Sequence, residues 1–416
     1  MRAVIAIPGI TGHLSEAQAT DMLMRPVAGV PLLLRTALTA ARAGVDQVLL
    51  ICPISLSDRL LQRFTAALAL HGIQLTTIKV SRFNPCVSSD WLVLKPYLDK
   101  EFVWLPWNWV TIKESIKQLP LAKLDFVDWS KPAFTTLHRV DRKIASSIQP
   151  TRNAGGIAIT SRESTAAAER FLVATSGKVS DGIHTSFNRK LCRPFVRLLS
   201  HSRITPNTVT FGGVVISILS AIAFAHGAYL WSVLGAFLFY IAGLFDEMDG
   251  MLARIKFAES PSGTWLEGAA DGLSYLLLFG GITIGLSRSY GAIADWMGIA
   301  LLVGAVLALV TTSLQRRRAT NPDRPNEYLG RFYELLEKDS GNWLSRVVRQ
   351  VQCFQRRGIL IHYIVIFTIL GLLPLVFVLA TIGAHVTWIL TLYFNRKFFS
   401  TSSRSEATLN KLKEAL

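Results

Sequence analysis

Two short segments decide the fold: DEMDGMLAR at residues 246–254 and GTWLEGAAD at residues 263–271. The first follows an apolar run at residues 228–245, and the second ends where another apolar run begins, at residues 271–287. Each run is close to the ~20 residues that cross the hydrocarbon core of a bilayer as a helix. The acidic residues therefore fall at the edge of a membrane domain, between two of its predicted spans.

Long apolar runs, almost free of charge, fill the second half of the chain. They predict six transmembrane helices, at residues 208–226, 228–245, 271–287, 291–314, 359–379 and 381–394. Lys and Arg are concentrated before the first run, after the second, after the fourth and after the sixth. By the positive-inside rule, this alternation predicts an integral membrane protein whose termini and acidic segments are cytoplasmic.

The composition agrees with a membrane protein and excludes other classes. Of the 416 residues, 50% are hydrophobic and 17% are charged, whereas about 25% charge is usual for soluble domains. High hydrophobicity excludes disorder, and four widely spaced Cys exclude a disulfide-based fold. The net charge of +16 is explained by the cytoplasmic Lys and Arg, so no nucleic-acid partner is predicted.

The first half of the chain, residues 1–175, has no run long enough to cross a membrane and is predicted to be a soluble domain. A strand at residues 3–7, a helix led by residues 25–35 and a strand at residues 43–52 follow one another. This order predicts a parallel α/β sheet. The chain as a whole is therefore multidomain, with an α/β domain in front of an all-α membrane domain.

A linker at residues 176–206 connects this domain to the membrane domain at residues 207–396, and a cytoplasmic tail follows at residues 397–416. Within the linker, apolar residues at helical spacing alternate with Arg and Lys over residues 183–199. We expect an amphipathic helix there that lies in the cytoplasmic membrane interface. An ordinary surface helix is the alternative.

Helix geometry places the acidic residues on two faces. Asp246, Asp249, Gly250 and Ala253 share the first face, and Gly263, Glu267 and Asp271 share the second. Four carboxylates on neighbouring helices would repel one another unless divalent cations neutralise them, and oxygen ligands suit Mg²⁺, Mn²⁺ or Ca²⁺ rather than zinc. The small residues leave room for a nucleotide, and Arg254 offers a positive charge to a phosphate. A solvated acidic loop is the alternative interpretation.

The combined pattern D-x-x-D-G-x-x-A-R, eight residues, G-x-x-x-D-x-x-x-D resembles the signature of the CDP-alcohol phosphotransferases. Position 267 departs from it, because Glu replaces the family's Asp and its carboxylate reaches one methylene further. The segment RITPNTVT at residues 203–210 also resembles the family's I-T-P-N-x-x-T element. The resemblance covers about residues 180–396.

The resemblance implies a homodimeric membrane enzyme of phospholipid or inositol-phosphodiester synthesis. It would move a phosphoalcohol from a CDP-alcohol donor to an acceptor hydroxyl and release CMP. Two Mg²⁺ or Mn²⁺ ions would be bound by Asp246, Asp249, Glu267 and Asp271, and Asp271 would also take the proton of the acceptor. The residues that would line the CDP site are Asn207, Gly250, Ala253, Arg254 and Gly263.

The first half resembles the GT-A-like sugar-phosphate nucleotidyltransferases, through PLLLR at residues 31–35 and AGVDQVLL at residues 43–50. Such a domain precedes the membrane domain in bifunctional enzymes that make CDP-inositol and join it to inositol phosphate. Its catalytic groups are missing here, because residues 7–13 lack a basic residue, Arg25 replaces a Lys, and Asn108 stands where a metal-binding Asp is expected. We therefore expect a degenerate domain, with an active cytidylyltransferase as the alternative.

Another class of protein also fits the six predicted spans: a transporter or scaffold whose acids bind a cation. Transport sites favour charged or broken helices near the bilayer midplane. The acids here fall at the ends of the predicted spans, which favours the enzyme. The basic cluster at Arg316–Arg318 is interpreted as a membrane anchor, with a site for an acceptor phosphate as the alternative.

Overall fold

The computed structural model describes residues 1–7, 16–85, 87–98, 101–119, 131–136, 155–177, 183–319, 328–339, 343–351 and 357–399. The chain forms two compact units. The first contains Met1–Ser176 with the short segments Arg197–Ser202 and Ile255–Phe257. The second contains Gly177–Val196, Arg203–Arg254 and Ala258–Leu416. Most of the predicted cytoplasmic tail lies outside the described residues, as do residues 8–13 of the segment that lacks a basic residue.

The first unit is an α/β domain. Its strands are β1 (Arg2–Ala6), β2 (Pro26–Val27), β3 (Val30–Pro31), β4 (Gln47–Pro53), β5 (Gln74–Val80), β6 (Glu101–Trp104), β7 (Trp109–Val110), β8 (Ala133–Thr136) and β9 (Ile157–Ala158). Its helices are α1 (Glu16–Met24), α2 (Leu32–Arg42), α3 (Asp58–Ala69), α4 (Lys113–Lys117) and α5 (Arg162–Thr175), with a 3-10 helix at Ser88–Leu94. The main sheet has the order β5-β4-β1-β6-β8 and is parallel except for β8, which confirms the predicted α/β class.

Both faces of this sheet are buried. Successive side chains of a strand point to opposite faces. Ala3 and Ile5 of β1 accordingly join one apolar core with Leu33 of α2, while Val4 joins a second core with Trp91. A sheet covered on both faces explains why the strands read as nearly continuous apolar runs in the sequence.

The rest of the described chain is helical. The helices are α6 (Ile183–Ser200), α7 (Pro206–Ala225), α8 (Tyr229–Lys256), α9 (Pro261–Tyr290), α10 (Ala292–Ala319), α11 (Tyr328–Lys338), α12 (Trp343–Val351), α13 (Arg357–Ile369) and α14 (Leu373–Phe394), followed by a π-helical turn at Asn395–Phe399. Within the described residues, five segments are long and apolar enough to cross a membrane: Pro206–Ala225, Tyr229–Lys256, Pro261–Tyr290, Ala292–Gln315 and Leu373–Phe398. This part of the chain is therefore an α-helical membrane domain.

The last two predicted spans need a correction. Residues 359–379 do not form one helix, because α13 ends at Ile369 and α14 begins at Leu373. With 13 residues, α13 is ~20 Å long at 1.5 Å per residue, which is shorter than the ~30 Å hydrocarbon core. The break has a local cause: Gly371 has a φ of +73°, and Pro374 occupies the first turn of α14.

Close packing of α7 against α9 holds the centre of the membrane domain together. At Gly281 and Gly285 of α9, a Cβ atom would overlap the backbone carbonyl groups of Ala221 and Phe224. Glycine is therefore required for the two helix backbones to approach this closely. This packing brings the first turns of α7 and α9, which carry Asn207 and Gly263, into the same neighbourhood.

Candidate active site

Two long helices carry the acidic segments. Helix α8 continues through the first segment to Lys256, and α9 begins at Pro261, well before the predicted span at 271. The Ser260 side chain caps α9 by accepting a hydrogen bond from the backbone N–H of Gly263 at 3.0 Å. A serine cap followed by proline is a typical helix start. Glu267 and Asp271 therefore lie within α9, one turn apart.

Three of the four predicted metal-binding carboxylates come together. Asp246 and Asp249 of α8 and Glu267 of α9 each offer one carboxylate oxygen, and these atoms lie within 4.8 Å of one another. Asp249 is buried, with only 4% of its surface exposed. Asp271 is not a member of this group among the described residues, so its role stays a prediction.

A threonine on a third helix contacts the buried acid. The hydroxyl group of Thr210 in α7 donates a hydrogen bond to Oδ2 of Asp249. A donor at one oxygen fixes the orientation of a carboxylate and satisfies part of its hydrogen-bonding capacity. Nothing in the sequence pattern marks Thr210 as a ligand-orienting residue, although it is the last residue of the RITPNTVT segment that resembles the family element.

The residues predicted to line a nucleotide site lie beside these acids. The guanidinium group of Arg254 lies over Gly250, where a Cβ atom would be 3.4 Å from its nearer nitrogen. Asn207 Oδ1 lies 4.0 Å from the position that a Cβ of Gly263 would take. Ala253 is half-buried on the face of α8 that carries Asp249 and Gly250. Small residues thus leave the backbone accessible next to a cation and an amide.

One member of the basic cluster also faces this region. The guanidinium carbon of Arg317 in α10 lies 5.3 Å from the ring centroid of Trp265, which is two residues before Glu267. This distance is within the range of a cation–π interaction. The side chains of Arg316 and Arg318 lie outside the described residues. Arg317 therefore has a defined position against α9.

Helix α6 contacts α8 next to the acidic turn. Arg189 Nε donates to Glu247 Oε2 at 2.8 Å. Cys192 Sγ donates to the carbonyl oxygen of Leu244 at 3.5 Å. Burial raises the pKa of the Cys192 thiol to about 12, so the thiol is protonated at neutral pH. The opposite face of α6 is exposed and apolar, and its residues are Phe187, Leu191, Phe195 and Leu198.

The donor set fits a divalent, oxygen-preferring cation. Three carboxylates and a hydroxyl group provide only oxygen atoms, which suit Mg²⁺ or Mn²⁺ and exclude a thiolate-type zinc site. Three acids this close, one of them buried, would repel one another strongly without a counter-charge. Asp246, Asp249 and Glu267 are therefore the residues that would bind such an ion.

Three carboxylates on two apolar helices, one of them buried, define an integral membrane domain with a candidate site for a divalent cation. Residues 203–393 match the family model described as CDP-alcohol phosphatidyltransferase. Over these residues the membrane domain is similar to this family, as the sequence resemblance predicts.

Two curated relatives extend the comparison. The "Bifunctional IPC transferase and DIPP synthase" of Aquifex aeolicus is 27% identical over 229 residues, which cover 54% of this chain and 47% of the relative. The "Phosphatidylinositol phosphate synthase" of Mycobacteroides abscessus is 25% identical over 126 residues, which cover 30% of this chain and 53% of the relative. The matched parts span about half the length of these curated relatives.

Proposed function

We propose that the membrane domain transfers a phosphoalcohol from a CDP-alcohol to an acceptor hydroxyl group and releases CMP. The observation that carries this proposal is the meeting of Asp246, Asp249 and Glu267 within a domain similar to the CDP-alcohol phosphatidyltransferase family. The acids belong to two helices, so a folded domain is needed to bring them together. Their position next to small residues and Arg254 matches the needs of a pyrophosphate substrate.

The reaction forms a bond between the acceptor oxygen and the β-phosphorus of the donor and breaks the bond from that phosphorus to the bridging oxygen. CMP leaves with the bridging oxygen, and the hydroxyl proton passes to a carboxylate, which we assign to Asp271 as a general base. Divalent cations, when bound, neutralise the charge that develops on the phosphate oxygens. Arg254 and Asn207 orient the nucleotide, because they lie next to Gly250 and Gly263, respectively.

The proposal is tested with the full chain, purified in detergent and returned to lipid nanodiscs. CMP release is measured with CDP-diacylglycerol or CDP-inositol as donor and inositol phosphate, glycerol phosphate or inositol as acceptor, with Mg²⁺ or EDTA. The Mycobacteroides relative's name includes phosphatidylinositol phosphate, so inositol phosphate belongs among the acceptors. We expect Mg²⁺-dependent CMP release with one donor–acceptor pair.

Matched variants make this test specific. Asp249→Ala removes the buried ligand and is expected to abolish CMP release. Asp295→Asn is the control, because Asp295 is an exposed acid in the first turn of α10 and is outside the carboxylate group. CMP release that persists in Asp249→Ala, or that needs no divalent cation, would refute the proposed site.

The first unit has no nucleotidyltransferase activity in this proposal. At the position where a metal-binding Asp is expected, the side-chain amide of Asn108 donates to the carbonyl oxygen of Ile159 at 3.2 Å, which is a structural role. Arg25 pairs with Asp21 at 3.7 Å. Pyrophosphate release from CTP and inositol phosphate, measured in the full-length Asp249→Ala variant, would show instead that the enzyme is bifunctional.

The proposed enzyme works on the cytoplasmic side of the membrane, with both termini on that side, and α6 lies in the interface. The four exposed apolar residues of α6 are spaced i, i+4, i+8 and i+11, so they form one face. A fluorophore on Phe195→Cys should report an apolar environment in nanodiscs, whereas one on the exposed Ser186→Cys should report water. Cross-linking in nanodiscs tests the homodimer that the family resemblance implies.

A further inference from the structure

One acid in the first segment has a partner of its own. Glu247 stands between Asp246 and Asp249 in the sequence, but it is not a member of the carboxylate group. Its Oε2 instead accepts a hydrogen bond from Arg189 Nε of α6 at 2.8 Å. Both side chains are largely buried, with 11% of Arg189 and 16% of Glu247 exposed. The proposed chemistry assigns no role to either residue.

Along α8, two further contacts with α6 precede this ion pair. The hydroxyl group of Tyr240 donates to Asn188 Oδ1 at 3.1 Å. One turn further along both helices, Cys192 contacts the carbonyl oxygen of Leu244. Glu247 lies three residues after Leu244, so Tyr240, Leu244 and Glu247 form one stripe along the side of α8. Helix α6 packs along this stripe as far as the acidic turn.

The stripe determines where the neighbouring acids point. Successive residues of an α-helix are about 100° apart around its axis. With Glu247 fixed towards α6, Asp246 and Asp249 must leave α8 from other sides. These are the two residues of α8 whose carboxylates lie within 4.8 Å of that of Glu267. A rotation of α8 that broke the pair would therefore also move both acids.

Glu247 also affects the cationic side of the site. Arg254 lies seven residues after Glu247, on the same face of α8. It is repelled electrostatically by Arg189 and attracted by Glu259, Glu267 and Glu247. Glu247 is thus one of the acids that attract Arg254, besides being the hydrogen-bonded partner of Arg189.

We propose that Arg189 and Glu247 are positioning residues of the transferase: their ion pair fixes the rotation of α8, so that Asp246 and Asp249 meet Glu267. This inference rests on the proposed function, because the groups being positioned are the carboxylates to which that function assigns metal binding. A largely buried pair suits this task better than an exposed one, since removal of one partner leaves an uncompensated charge in a poorly solvated place.

The test compares Arg189→Gln, Glu247→Gln and the double variant with wild type and with the Asp295→Asn control. Binding of Mn²⁺ is measured by electron paramagnetic resonance of the free ion, without substrate, together with the midpoint of thermal unfolding. Each single variant should raise the Kd for Mn²⁺ about tenfold, as residues that orient metal ligands commonly do. The double variant should bind Mn²⁺ no more weakly than the single variant with the higher Kd, because the two residues act as one unit.

Three results would overturn the inference. In the first, the single variants bind Mn²⁺ like wild type. In the second, the losses of Mn²⁺ affinity in the two single variants add up in the double variant. In the third, the loss of Mn²⁺ affinity is explained entirely by the fraction of unfolded protein. In turnover assays, kcat should fall more than the KM for the CDP-alcohol rises. The metal readout needs no turnover, so absence of CMP release from the wild type would refute the proposed function while leaving the positioning test decisive.

Discussion

Replacement of Thr210 by Val removes the hydroxyl group that donates to Asp249 and leaves the shape of the side chain almost unchanged. Thr210 is half-buried and Asp249 is 4% exposed, so water replaces the lost donor poorly. A hydrogen bond to a charged group contributes about 1.5–3 kcal/mol, and about 1.4 kcal/mol corresponds to a factor of ten in affinity. The same hydroxyl lies 3.2 Å from the carbonyl oxygen of Pro206, which favours the lower end of this range.

We therefore expect Thr210→Val to weaken Mn²⁺ binding about tenfold, with a comparable loss of CMP release at limiting metal. Excess Mn²⁺ should restore much of the activity, because the ligands themselves are intact. The measurement is a Mn²⁺ titration of the purified chain in nanodiscs, followed by both free-ion resonance and CMP release.

Ser217→Ala is the matched control for this variant. Ser217 lies two turns after Thr210 on the same face of α7, is 1% exposed, and donates to Ser274 Oγ or the Gly213 carbonyl at 3.0 Å. Its loss removes a neutral hydrogen bond, so stability should fall by about 1 kcal/mol while the affinity for Mn²⁺ stays unchanged. If Thr210→Val bound Mn²⁺ like wild type, or if both variants weakened it equally, Thr210 would not act on the carboxylate.

Four further outcomes are expected. Glu267→Asp, which restores the family's residue with a shorter side chain, should change the affinity for Mn²⁺ while retaining CMP release, and complete loss would contradict this. Asp271→Asn should abolish CMP release but keep Mn²⁺ binding, because Asp271 is outside the three-carboxylate group; a parallel loss of metal would make it a ligand instead. Gly281→Ala should destabilise the domain by about 1–3 kcal/mol in thermal unfolding, whereas Gly280→Ala should not, since its Cβ would meet nothing within 4 Å. Burial raises the pKa of the Cys192 thiol to about 12, so the reactive thiolate is scarce at pH 8 and alkylation of Cys192 should be slow. Glu247→Gln loosens α6 and should therefore accelerate this alkylation, which mass spectrometry can follow.

Local periodicity was sufficient to predict the faces that form the site. The spacing of Asp246 and Asp249 placed them on one side of a helix, and the structure brings both to Glu267. Hydropathy was less informative about helix ends, because Glu267 and Asp271 lower it and hide the first ten residues of α9. The better signal was Ser260 followed by Pro261, a cap and a first-turn proline that mark the true start.

A similar signal explains the wrong boundary between the last two predicted spans. Residues 359–394 are apolar almost throughout, so hydropathy alone has no feature by which to locate a break. Backbone chemistry does locate it, since Gly371 adopts a positive φ at little cost and Pro374 fits a first helical turn. Turn residues inside an apolar run are therefore better evidence for helix ends than the length of the run.

Contacts between helices could not be predicted from the sequence, for a different reason. Thr210 and Asp249 are separated by 39 residues, and Arg189 and Glu247 by 58. Periodicity states which residues share a face, but it does not state which face meets which. The acids could be recognised because divalent cations constrain residue type and spacing together, whereas a threonine or an ion pair that orients them has no such chemical signature. Residues that position the ligands can thus be identified only from the packed arrangement of the helices. For this reason Thr210 and Glu247 are the most informative sites to mutate.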